Sequence, residues 1–94
     1  MLFPVPINDW VILDTYDRDY RTLSNAAKAQ VLDCLRRLKV NQDDSALDLR
    51  PVLDKRDVYS VRVNGSLRLS FKYYPWGQAD LREIQLDETL ESDP

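Results

Sequence analysis

The sequence predicts an α+β fold: a small curved antiparallel sheet packed against two N-terminal helices. Three observations predict it. Apolar residues recur at helical spacing between Asp14 and Val40. Apolar and polar residues then alternate along both arms of DVYSVRVNGSLRLSFKY, Asp57 to Tyr73. A last apolar stretch, LREIQL from Leu81 to Leu86, follows a Pro75-Trp76-Gly77 turn. The expected order is strand, helix, helix, then three antiparallel strands.

Each element has its own warrant. Met1 to Asp9 carries two prolines and reads as an irregular edge segment. Trp10 to Leu13, WVIL, reads as a buried strand. Asp14 or Thr15 is placed to cap a short helix whose stripe is Tyr16, Tyr20 and Leu23. Ser24 opens a longer helix, with Ala27, Val31, Leu35 and Leu38 on one side and Cys34 beside them. Arg36, Arg37 and Lys39 crowd its end, where the helix dipole favours cations, and Asn41 is the expected stop. Asn41 to Asp57 is a polar connection that Leu47, Leu49, Val52 and Leu53 would pin down, and Pro51 argues against a central strand.

In the hairpin, Asn64-Gly65 is a two-residue type I′ turn signal. Tyr59, Val61, Val63, Leu67, Leu69 and Phe71 take the core phase. Ser60, Arg62, Ser66, Arg68, Ser70 and Lys72 take the other, which is expected to stay at least partly open. In the last strand Ile84 and Leu86 point inward, and Arg82 shares their phase. Either Arg82 sits at the strand end or a bulge between Ala79 and Leu81 shifts the register.

Residues 1–94 are expected to form one domain, with 87–94 an acidic flexible tail. The longest apolar run is too short to span a membrane, and Met1 to Trp10 lacks the pattern of a signal peptide. A lone cysteine makes no internal disulfide, so a cytoplasmic location is expected. The absence of histidine removes imidazole acid–base chemistry and most zinc and haem sites; no metal or cofactor is expected. The formal charge of −3 is unevenly spread. Residues 50–82 carry 7 basic and 3 acidic side chains, whereas 83–94 carry 5 acidic and none basic. A local cationic face within an acidic protein follows.

Tyr59-Ser60-Val61-Arg62-Val63-Asn64, then Leu67-Arg68-Leu69-Ser70-Phe71-Lys72, then a closing strand from Asp80-Leu81, resemble the RelE/ParE toxin superfamily, most of all its HigB-like branch. The resemblance spans roughly Val11 to Glu88 and is most specific in the hairpin. It implies the toxin of a type II toxin–antitoxin system, an antitoxin partner, and metal-independent cleavage of messenger RNA at the ribosome. The alternative it leaves open is a non-nucleolytic member, either a gyrase-directed toxin or a degenerate antitoxin-binding module.

Metal-free RNA cleavage needs a held phosphate, a stabilised developing charge, a base and an acid. Arg62 and Arg68 match the two hairpin arginines of the family, and Arg82 a late basic position. Lys72 would extend the phosphate track, and Lys55 and Arg56 would bind backbone electrostatically. Many relatives end with a histidine or tyrosine; here that stretch reads Gln85-Leu86-Asp87-Glu88. Asp87 or Glu88 is then the candidate base, and Tyr74, in phase with Arg68, the candidate phenol, with stacking on a base as its other use. Cys34, with no histidine to activate it, reads as structural.

Overall fold

The computed structural model describes residues 3–86. Its elements are β1 (Asp9–Ile12), α1 (Asp14–Arg21), α2 (Asn25–Val40), a 3₁₀ turn (Ser45–Leu47), β2 (Arg50–Pro51), β3 (Val58–Arg62), β4 (Leu67–Tyr74) and β5 (Gln78–Leu86). One sheet runs β1-β5-β4-β3-β2. β2 to β5 pair antiparallel, as the alternation implies. β1 joins β5 in parallel, so the sheet is mixed rather than purely antiparallel. The parallel pairing follows from α1 and α2: a helical excursion carries the chain back to the far edge.

β1 is an edge strand and not the buried strand its four apolar residues suggest. Val11 is 36% and Ile12 60% exposed. Leu13, not Asp14 or Thr15, occupies the N-cap of α1 and makes no side-chain cap bond. Tyr16, Tyr20 and Leu23 do form the stripe that packs on the core. Ser24 caps α2 by accepting from the Ala27 amide at 3.1 Å, and Asn41 ends it. Val31, Cys34 and Leu38 are its buried face. Pro51 lies in the two-residue outer strand, where its missing donor costs the ladder nothing.

The core lies between α2 and the sheet face that carries Val61, Leu69, Phe71 and Ile84. Phe3 seals one end, stacked on Tyr73 at 4.3 Å and edge-on to Tyr59 at 5.1 Å. Full burial of such a ring contributes about 1.5–3 kcal/mol. The Tyr73 hydroxyl donates to the Val5 carbonyl at 2.7 Å and accepts from the Val5 amide at 3.1 Å. These contacts strap the N-terminal segment across the sheet end.

Two turns differ from expectation. Neither Asn64 nor Gly65 has positive φ, so the hairpin does not close with a type I′ turn. Its four-residue loop is organised by the Asn64 side chain, which accepts from the amides of Ser66 and Leu67 at 2.8 and 2.9 Å. An Asx-type bond thus replaces the left-handed backbone. In β5 the register slips between Ser70 and Phe71, whose partners are Glu83 and Leu81. Arg82 is therefore the bulged residue, one position beyond the expected window. The bulge lets both Leu81 and Ile84 reach the core. Asp19 of α1 accepts the Ile84 amide at 3.0 Å and fixes the irregularity.

Candidate functional site

The sheet face opposite the core is built from Ser60 and Arg62 on β3 and Arg68, Ser70 and Lys72 on β4. Arg62 and Arg68 are direct cross-strand partners. Two like charges so placed repel, and something must compensate them. The compensation comes from Asp48, which follows the 3₁₀ turn. Leu47, 1% exposed, plugs that turn into the core. Asp48 then adopts a left-handed conformation, φ 45°, which aspartate tolerates better than most residues.

Asp48 Oδ2 lies 2.7 Å from Arg50, 3.1 Å from Arg62 and 2.9 Å from Arg68. Three guanidiniums share one carboxylate oxygen. Arg68 sits beneath, 0% exposed, and this overturns the expectation of an open arginine on a wet face. Its Nε donates to Ser60 Oγ at 3.0 Å, and its Nη2 donates to the Ser60 carbonyl at 3.1 Å and to the Asp48 carbonyl. Ser60 and Ser70 are buried with it. Arg50 and Arg62 keep about half of their side-chain surface in water, at 45% each. The site is thus a buried arginine below, a carboxylate in the middle, and two accessible arginines above.

The electrostatics follow. Burial works to raise the pKa of Asp48. The hydrogen bonds and charges of Arg50 and Arg68 outweigh it and hold the carboxyl below its usual range. One negative and three positive charges leave a local surplus that suits a phosphodiester, whose oxygens match the guanidinium fork.

Beside this cluster a groove of about 550 Å³ separates α2 from the hairpin, with Arg37 and Arg62 on its opposite walls. Cys34 lines it as well. Burial first, and the nearby Asp33 charge second, push the thiol up to about 12. It donates to the Arg62 carbonyl at 3.4 Å. Such a thiol is a packing group that steadies β3 rather than a nucleophile.

The structure brings together only part of the expected set. Arg62 and Arg68 meet. Lys72 lies four residues along β4, its Nζ 5.3 Å from the centre of the Tyr74 ring. The Tyr74 hydroxyl donates to Asp80 at 3.3 Å, and its ring stacks on Trp76. Six residues of strand, about 20 Å, separate Tyr74 from Arg68, so it is no proton donor at the arginine cluster. Arg82 occupies the bulge, three positions from Gln85, the partner of Arg68. Lys55 and Arg56 are exposed in the turn between β2 and β3, which the Val52–Val58 backbone bond closes. Asp87 and Glu88 lie outside the described residues, as does the expected acidic tail. Asp48 and Arg50 were missed by sequence reasoning. Their signal was two opposite charges, Asp48 and Arg50, two residues apart just ahead of Pro51.

No family model and no curated protein matches the chain by sequence. Solved structures do match by shape. A chain of the Escherichia coli DinJ–YafQ toxin–antitoxin complex superposes with TM-score 0.73 at 12% identity, over 88% of this chain and 96% of that one. A YoeB/ParE toxin from Agrobacterium tumefaciens gives 0.68 at 13%, over 84% and 98%. The archaeal RelE–RelB complex from Pyrococcus horikoshii gives 0.66 at 14%, over 92% and 96%. The two helices and the open five-stranded mixed sheet therefore constitute the α+β fold of the RelE, YoeB and YafQ toxins.

Proposed function

We propose that the chain is the toxin of a type II toxin–antitoxin pair and cuts single-stranded RNA without a metal, with messenger RNA at the ribosome as its substrate. One observation carries the reading: Asp48 bound by Arg50, Arg62 and Arg68 on the sheet face opposite the core. The toxin fold supports the same assignment, and the resemblance of the hairpin motif to the HigB-like branch supports a place in that branch. A cytoplasmic location and an antitoxin partner go with it.

The chemistry assigns a role to each group. Arg50 and Arg62 bind the scissile phosphate and offset the charge of the pentacoordinate transition state. Arg68, buried, fixes Asp48 and does not itself touch substrate. A phosphate that draws Arg50 and Arg62 toward itself loosens their hold on the carboxylate. Losing the Arg50 bond removes one of the contacts that hold this carboxyl below its usual range, so its affinity for a proton rises. Asp48 takes the proton of the attacking 2′-hydroxyl as the 2′-oxygen–phosphorus bond forms; the bond from phosphorus to the 5′-oxygen breaks in line, and the departing 5′-oxygen takes its proton from solvent water. Asp48 therefore replaces Asp87 and Tyr74 as the first candidate for proton transfer.

The test is induction in growing cells. Wild type should arrest growth; Arg62→Ala and Asp48→Asn should relieve the arrest while remaining folded by circular dichroism. Arrest unchanged by either substitution contradicts the assignment. Arrest with loss of gyrase supercoiling in extracts would instead establish the gyrase-directed alternative.

A further inference from the structure

We propose that Tyr74 and Trp76 form a stacking platform for one nucleobase of the bound strand, with Lys72 holding an adjacent phosphate. This rests on the RNA reading above and extends it to a site distinct from the arginine cluster. Trp76 is 68% exposed at the tip of the β4–β5 turn, although a solvated turn needs no indole. Its ring lies 4.9 Å from that of Tyr74 at an interplanar angle of 25°.

The pair is held in place rather than merely adjacent. Trp76 Nε1 donates to Gln78 Oε1 at 3.1 Å, Gln78 Nε2 donates to Asp80 Oδ1 at 2.7 Å, and the Tyr74 hydroxyl donates to Asp80 Oδ2 at 3.3 Å. The turn itself is anchored, because the Gly77 carbonyl accepts the amides of Asn8 and Asp9. A rigid aromatic surface loses little entropy when a flat ligand settles on it.

Position decides the ligand. Arg68, Ser70, Lys72 and Tyr74 alternate onto one face of β4. The platform therefore continues the basic cluster at about 20 Å, a few nucleotides along a strand. Lys72 Nζ lies over the face of the Tyr74 ring, 5.3 Å from its centre, so a cation caps that ring while Trp76 presents the exposed face of the pair. A π surface flanked by a cation and in line with a phosphate site is the arrangement that takes single-stranded nucleic acid without reading its sequence.

The experiment uses a short, uncleavable 2′-O-methyl oligoribonucleotide and the Trp10→Phe variant, in which Trp76 is the sole indole. Binding should quench Trp76 fluorescence. Trp76→Ala should weaken binding about 5- to 150-fold, and Trp76→Phe should recover most of the loss. With Arg62→Ala, affinity should fall while the quench at saturation persists. Binding with unchanged Trp76 fluorescence, and equal affinity in Trp76→Ala, overturns the platform and leaves the RNA reading intact. No binding by any variant overturns both.

Discussion

Replacing Arg68 by alanine removes a guanidinium that is fully buried and bonded to Asp48 and Ser60. Two carbonyls and a serine hydroxyl lose a donor, and Asp48 loses its buried counter-charge. Breaking such a pair from one side costs about 3–5 kcal/mol. Domains of this size are stable by about 5–15 kcal/mol, so the change consumes a large share. Arg62 contacts the same carboxylate but is half in water, and its removal should cost about 1 kcal/mol or less. Urea unfolding followed by circular dichroism separates the two. With a slope of about 1–3 kcal/mol per molar, the Arg68→Ala midpoint should fall by at least about 1 M, and that of Arg62→Ala far less. Acid should reproduce part of the loss in wild type. The folded-state pKa of Asp48 is depressed, so its contribution is complete above the unfolded value near ~3.9 and disappears as pH falls through the folded one. Equal destabilisation by the two alanines would refute the buried-anchor reasoning.

Three further outcomes are expected. Gly77→Ala should destabilise by about 1–3 kcal/mol in the same assay, because φ is +94° and the new Cβ would meet the Pro6 carbonyl at 2.9 Å. Asp19→Ala should cost about 1–3 kcal/mol by orphaning the Ile84 amide at the bulge, and hydrogen exchange at that amide should accelerate. Stability should decline as pH rises from about 9 toward about 12, since Cys34 and Tyr16 are both held protonated to about 12 in the fold; Cys34→Ala should flatten the early part of that decline.

How much the sequence disclosed depends on the range of the forces involved. Local periodicity marked α2 and the hairpin strands well, because burial on one face writes a period of 3.6 or 2 into the chain. Edge position leaves no such mark. WVIL reads as a core strand, yet β1 borders solvent, and only the parallel pairing to β5 settles its place. The Asn64-Gly65 signal favoured a left-handed turn, but the asparagine side chain offered the amides a competing acceptor. The site was half legible. Arg62 and Arg68 stood out by phase, while the burial of Arg68 and the part of Asp48 depend on a contact across 20 residues. The polarity of the connecting loop made Asp48 look like a solvated residue. A sequence shows that a loop is charged, not which charge folds back onto the sheet.

The most direct test maps the ends of cellular RNA after induction of wild type and of Arg62→Ala. Metal-free attack by the 2′-hydroxyl leaves 5′-hydroxyl and 2′,3′-cyclic phosphate ends. New ends of this kind are expected inside translated frames with wild type, and they should disappear with Arg62→Ala. Growth arrest with intact RNA, or cuts that persist in the variant, would contradict it.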